Sequence, residues 1–235
     1  MKNKTMRHVV VGSVCIFCVL CAFMCSVREG WGESERKYVA LTFDDGPHWQ
    51  NTPRLLDILQ ENGVRATFFI IGNRVDDHRA IVERMFAEGH MIGNHTWSHK
   101  NVAQLSEREA RDELEKTNRK LMEVTGRAPF LFRPPMGEWK KGRVCDGMAI
   151  ILWSVDPDDW HARGAGQIAR SVIRNTGSGD IILLHDMLAH SVEAVEDIIK
   201  ILKAEGFEFV TVDELITASY GYVDVDKIYS RVPIG

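Results

Sequence analysis

Short apolar runs recur along this chain and alternate with longer amphipathic stretches. The runs Tyr38–Phe43, Thr67–Ile71, Met91–Gly93, Phe130–Arg133, Ile150–Val155, Ile181–His185 and Phe207–Thr211 have the length and apolar content of strands. The stretches between several of them carry helix punctuation. Thr52 followed by Pro53 reads as an N-cap with proline at the first helical position, and Gly63 ends that segment. Ile81, Val82, Met85 and Phe86 share one helical face, closed by Gly89. Ser106 and Glu109 form a capping box ahead of a long charged helix. Ser191 opens another helix, with Val192, Val195, Ile198, Ile199 and Leu202 on its apolar side and Gly206 after it. Strands alternating with helices predict an α/β fold built on a parallel sheet. Seven strand signals in about 190 residues suit a small barrel in a single domain better than an eight-fold one, which needs ~250 residues. Periodicity alone does not fix whether the sheet closes.

The first segment breaks this rhythm. Lys2, Lys4 and Arg7 precede an uncharged apolar run from His8 to Val27, and charge returns at Arg28 and Glu29. A positive flank before an apolar stretch predicts export, so residues 1–27 are read as a signal peptide or a membrane anchor. The run is also long enough, at roughly 20 residues, to span a bilayer uncleaved. Residues 28–36 read as a linker, 37–220 as the folded domain and 221–235 as a C-terminal tail. An extracytoplasmic location follows, with membrane contact only through the N-terminal segment. Four of the five cysteines lie inside the apolar run and only Cys145 lies in the body, so a disulfide framework is excluded for the domain. The formal net charge of -4 and the lack of a basic stripe argue against nucleic acid as a partner. A monomer is expected.

Candidate chemistry gathers where the apolar runs end. Thr42-Phe43-Asp44-Asp45-Gly46-Pro47 follows the first, His95-Thr96-Trp97-Ser98-His99 the third and Arg133-Pro134-Pro135-Met136-Gly137 the fourth. Asp156-Pro157-Asp158-Asp159-Trp160 follows the fifth, and His185-Asp186 closes the sixth. The C-terminal strand ends of a parallel barrel share one face, where catalytic groups collect. Asp-Gly-Pro is also good turn chemistry, but two adjacent carboxylates at a strand end are costly without a cation. One can hold a metal while the other acts as a base. His95 and His99, four apart, put both imidazoles on one side if that segment is a helical turn. An Asp/His/His set favours zinc or a neighbouring transition metal over magnesium or calcium. His185 is a core histidine or a proton-transfer group, with Asp159 or Asp186 able to set its pKa. Trp97 and Trp160 are core filler or pocket walls.

These five ordered motifs resemble the polysaccharide deacetylases that share the NodB homology domain, carbohydrate esterase family 4. The resemblance covers about residues 37–217 and includes Thr52-Pro53-Arg54-Leu55-Leu56 and Ala66-Thr67-Phe68-Phe69. It implies a distorted (β/α) barrel of about seven strands. It implies that Asp45, His95 and His99 hold a divalent transition metal, zinc first, with cobalt or nickel as alternatives. It further implies that Asp44 is the general base and His185 the general acid, with Arg133 orienting Asp44 and Asp159 tuning His185. The backbone N–H of Met136 would help form the oxyanion hole, with Pro135 and Trp160 beside the substrate. The implied reaction is removal of acetyl groups from N-acetylhexosamine residues of a polysaccharide, peptidoglycan or a chitin-type oligomer. Two features depart from the family pattern. Met136 stands where an aromatic is usual, and the stretch from Glu138 to Ile150 looks short for a full helix plus strand.

Overall fold

The strand β1, Lys37–Gly46, is the centre of the molecule, and its Val39–Phe43 core is buried on both faces. A strand flanked on both sides in a parallel sheet reads as a continuous apolar run, which is why this one was legible. The structure is a computed structural model that describes residues 36–140, 147–225 and 227–234. The N-terminal segment read as signal or anchor, most of the linker and Cys145 lie outside the described residues. No described helix is long and apolar enough to cross a membrane.

The remaining strands are β2 (Thr67–Ile70), β3 (Met91–Asn94), β4 (Leu131–Phe132), β5 (Ala149–Ile151), β6 (Asp180–His185), β7 (Phe207–Phe209) and β8 (Ile228–Tyr229). The helices are α1 (Asn51–Glu61), α2 (Arg79–Ala87), α3 (Glu107–Thr125), α4 (Ala165–Asn175), α5 (Ala189–Ala204) and α6 (Val212–Tyr220). The sheet runs β6-β1-β2-β3-β4-β5-β8, with β7 on the N-terminal half of β1, and every paired strand is parallel. Beyond β5 the chain reaches back to β6. The Ser154 N–H donates to the Ile181 carbonyl at 3.0 Å, and the Leu183 N–H donates to Val155 at 2.9 Å. That short bridge brings the curled sheet round on itself as a distorted (β/α) barrel, in one compact unit from Lys37 onward.

Alternation along the strands sorts the core into two layers. Val39, Leu41, Phe43, Phe68, Ile70, Ile182 and Leu184 face outward, under Leu55 and Leu59 of α1, Val82 and Met85 of α2, and Val195 and Ile198 of α5. Ala40, Phe69, Leu131, Ile151 and Ile181 fill the interior, plugged by Val212, Leu215 and Ile216 of α6 with Val232. Side chains of the interior layer at the C-terminal strand ends therefore point into one shared space.

The structure departs from the sequence expectations in three places and agrees with them in a fourth. The first helix starts at Asn51, and Thr52 is not its cap: the Thr52 hydroxyl donates to Asp186 Oδ2 at 2.5 Å and accepts the His48 N–H at 2.7 Å. The stretch expected to be a tail supplies β8, which pairs with β5, and the fully buried Val232. Two residues flanked by polar chain carry no readable period. The β4–β5 connection holds only a 3-10 turn at Pro135–Gly137 and no α-helix among the described residues, in line with its shortness in the sequence. His95–His99 is a bent loop, with Thr96 at φ 67° and His99 at φ 58°, and not a helical turn.

Candidate metal and active site

Neighbouring residues on a strand face opposite sides, so Asp44 and Asp45 should not share a site. A β-bulge resolves this. Asp44 pairs with Phe69 and Gly46 with Ile70, leaving Asp45 as the extra residue, at φ 68°. A bulge with a left-handed residue re-aims a side chain, and both carboxylates turn toward the same imidazole. His95 Nε2 lies 3.8 Å from Asp44 Oδ2 and 3.3 Å from Asp45 Oδ1. His99 Nε2 lies 3.0 Å from the same Asp45 oxygen, and the two imidazole rings are 5.0 Å apart. Gly46 must lack a side chain, because a Cβ there would run into the Asp186 carboxylate.

The hydrogen bonds around this cluster fix its protons. His95 Nδ1 is 2.7 Å from the Arg133 carbonyl oxygen. A carbonyl only accepts, so Nδ1 carries the proton and Nε2 presents a lone pair toward Asp45. Asp45 is 6% exposed, and its Oδ1 has no hydrogen-bond donor. Burial pushes its carboxyl up, and only donated protons and positive charge on the His95 and His99 side outweigh burial and hold it well below the usual carboxylate range. A buried carboxylate oxygen facing a neutral imidazole lone pair is repulsive unless a cation lies between them. One ligand atom from each of Asp45, His95 and His99 falls within 4.8 Å of the others, and that donor set suits a transition metal with open positions.

The loop carrying the histidines is clamped by residues that sequence reading missed. Glu113 of α3 accepts the Ser98 N–H and hydroxyl, each at 2.8 Å. Asn94 accepts the Thr96 N–H at 2.7 Å and donates to the Leu114 carbonyl at 3.0 Å. Glu113 sits in a helix of many charges, and nothing in the sequence distinguishes it from its solvated neighbours. Trp97, read as core or wall, packs over Gly72.

Arg133 is fully buried. Its Nη1 donates to Asp44 Oδ1 at 2.8 Å and Thr42 Oγ1 at 2.7 Å, its Nε to the Ile151 carbonyl at 3.1 Å, and its Nη2 to the Leu152 carbonyl at 3.0 Å. The guanidinium stacks 4.2 Å from the Phe69 ring. Burial lowers its pKa and the Asp44 carboxylate opposes that shift. Asp44 is therefore held by one oxygen, with the other turned to the cluster.

Across β6, the Asp159 carboxylate holds His185. Oδ1 lies 2.8 Å from His185 Nδ1, while Oδ2 accepts the His185 backbone N–H at 2.9 Å and the Ser191 hydroxyl at 2.6 Å. Ser191 lies in the first turn of α5, where a short polar residue was the readable signal, though for a helix start. Burial lowers the pKa of His185, but Asp159, with the charges of Asp44 and Asp45, outweighs it and raises the value. Asp186, fully buried, is pushed up to about 7 by burial, against the hydrogen bond from Thr52.

Met136 lies at φ 59° and is 61% exposed, between the buried Pro135 and a Gly137 packed against Trp153. Trp160, 49% exposed, packs edge-on to His185. All five non-glycine residues at positive φ among the described residues (Asp45, Thr96, His99, Met136 and Asp158) belong to the strand-end motifs. Such conformations cost about 1–3 kcal/mol each and gather at functional sites. A cavity of about 310 Å³ lies elsewhere, at the N-terminal strand ends beside His90, Arg65 and Phe130, and contains none of these residues.

Comparison with known proteins places most of the chain beside named relatives. The polysaccharide deacetylase family model matches residues 32–145. The peptidoglycan-N-acetylglucosamine deacetylase PgdA of Listeria monocytogenes is 39% identical over 181 residues, 76% of this chain, which spans only 39% of that relative's length. A peptidoglycan-N-acetylglucosamine deacetylase of Bacillus cereus is 40% identical over 196 residues, covering 80% of this chain and 71% of the relative. Among solved structures, a family 4 acetyl xylan esterase from Clostridium thermocellum, in complex with a cobalt ion, superposes with a TM-score of 0.79 at 39% identity. That match covers 84% of this chain and all of the esterase. Fold, sequence identity and coverage converge, and the chain belongs to the polysaccharide deacetylase family.

Proposed function

We propose that this protein removes the acetyl group from N-acetylhexosamine residues of a polysaccharide outside the cytoplasm, with peptidoglycan as the leading substrate and chitin-type oligomers next. The observation that carries the reading is the convergence of a buried Asp45 oxygen and imidazole nitrogens of His95 and His99, with Asp44 on one side and the Asp159–His185 pair close by. The donor set fits a divalent transition metal, zinc first, held by Asp45, His95 and His99. When bound, such an ion supplies positive charge that polarises a carbonyl and acidifies water. Asp44, fixed at one oxygen by Arg133, takes the proton of the attacking water with the other. The Met136 backbone N–H, in its left-handed turn after Pro135, stabilises the developing oxyanion. His185 in its acid form protonates the departing sugar nitrogen, because an amide nitrogen leaves poorly as an anion. Acetate and a free amine result. Trp160 and the exposed Met136 side chain border the sugar, Met136 offering no aromatic face. Names of relatives favour peptidoglycan, while the resemblance to the acetyl xylan esterase supports ester hydrolysis as a second reading.

Acetate release from peptidoglycan, N-acetylglucosamine oligomers and acetylated xylan, assayed side by side on zinc-loaded protein, separates these. The proposal expects turnover on an N-acetylated substrate and a loss of about 10²–10⁴-fold in Asp44→Asn, with metal still bound. Near-normal turnover in Asp44→Asn contradicts the base assignment, and release from xylan alone favours the ester reading.

A further inference from the structure

The hydrogen bonds at His185 do not describe an acid ready to act. Trp160 Nε1 lies 3.1 Å from His185 Nε2, with the rings edge-to-face at 5.1 Å. An indole nitrogen only donates, so Nε2 accepts and bears no proton. At the other nitrogen, Asp159 accepts from Nδ1 at 2.8 Å. This network assigns His185 as the neutral imidazole with its proton on Nδ1. The atom facing Trp160 is therefore the one that must gain and deliver a proton. Once Nε2 is protonated, two donors face each other and the indole contact is lost. Indole binding and the acid form of His185 exclude one another.

The surroundings localise the motion. Asp159 is 1% exposed and pinned by His185, by the Ser191 hydroxyl and, through its carbonyl, by His190 Nε2 at 2.7 Å. The next residue, Trp160, is 49% exposed, on a turn whose Asp158 is left-handed at φ 54°. A clamped carboxylate is followed directly by an exposed ring with room to swing. Resting on the deacetylase reading above, we infer that Trp160 is a latch: its indole N–H caps His185 Nε2 in the resting protein and gives way when substrate enters. The proton balance is simple. Nε2 takes a proton from solvent as the indole leaves, passes it to the sugar nitrogen as the C–N bond breaks, and is then free to accept the indole again. Trp160 is thus a positioning residue acting through His185, beyond its place as a pocket wall. The charged groups facing His185 are Asp159 from its loop and Asp44 and Asp45 from β1, with Asp186 next to it in the chain just beyond β6. All are unchanged by a substitution at Trp160.

The test is Trp160→Phe in the full, zinc-loaded chain, with His185 followed by NMR titration. A hydrogen bond donated to the neutral imidazole favours that form, so losing it raises the titration midpoint by about half a pH unit or more. The alkaline limb of kcat/KM for an N-acetylglucosamine oligomer moves up equally. In the wild type, the Trp160 indole N–H resonance shifts with the His185 midpoint. An unchanged or lowered midpoint in Trp160→Phe, or an indole resonance indifferent to His185, overturns the latch. A wall residue alone changes KM and leaves the midpoint in place. Should wild type release no acetate from any glycan, the deacetylase reading fails, while the NMR titration still decides whether the indole caps His185.

Discussion

Arg133 and Asp44 form an ion pair with almost no access to water, and its two ends differ in what they do. The carboxylate is the proposed base, whereas the guanidinium also ties β4 to the ends of β1 and β5 through Thr42, Ile151 and Leu152. Removing one partner of a buried pair leaves the other uncompensated. Arg133→Met is therefore expected to lower stability by about 3–5 kcal/mol in urea denaturation, as well as activity. The His185–Asp159 pair makes a pH prediction. Burial works against the imidazolium and the Asp159 carboxylate favours it, with a net raised pKa. The acid form is present below that pKa and is lost as pH rises through it. Asp159→Asn removes the favouring charge, so the alkaline limb of acetate release is expected at lower pH. A pH–rate profile of the variant checks this, and a limb unmoved or shifted upward contradicts the assignment.

At the scale of elements, the site is made by irregularities in regular structure. The bulge at Asp45 and the left-handed residues Thr96, His99 and Met136 aim side chains or peptides that an unbroken strand or helix would point away. Strand and helix positions were legible because burial writes a period into the sequence: all seven expected strands exist, and the Ser106–Glu109 capping box is present. The bulge was not, since its signature is a register shift between strands far apart in sequence. The motif residues Asp44, Asp45, His95, His99, Arg133, Asp159 and His185 were legible by residue type at strand ends. Glu113, Asn94 and Ser191 were not, because a polar residue that supports a loop looks like any other helix or strand-end residue. Glu113 gives the test at this scale. It fixes Ser98, the residue directly before His99, and outer supports of this kind typically govern 10–100-fold in metal affinity. Glu113→Ala is expected to weaken zinc binding by about that factor with all three ligands intact, as read by competition with a chromophoric chelator.

At the scale of the molecule, the barrel brings five chain segments, spread from Asp44 to His185, to one end. The β-bridge between Val155 and Ile182 draws the Asp159 loop beside β6, and β1 runs directly beside β6 with Asp44 opposite His185. Base and acid are thus set by strand register, with the ligand cluster on the β2–β3 side of the same opening. The central claim is that Asp45, His95 and His99 hold one cation there. Calorimetric zinc titration of metal-free wild type, Asp44→Asn and His99→Ala tests it most directly. The account predicts one equivalent bound by wild type and by Asp44→Asn, and loss of that binding in His99→Ala; undiminished stoichiometric binding by His99→Ala would contradict it.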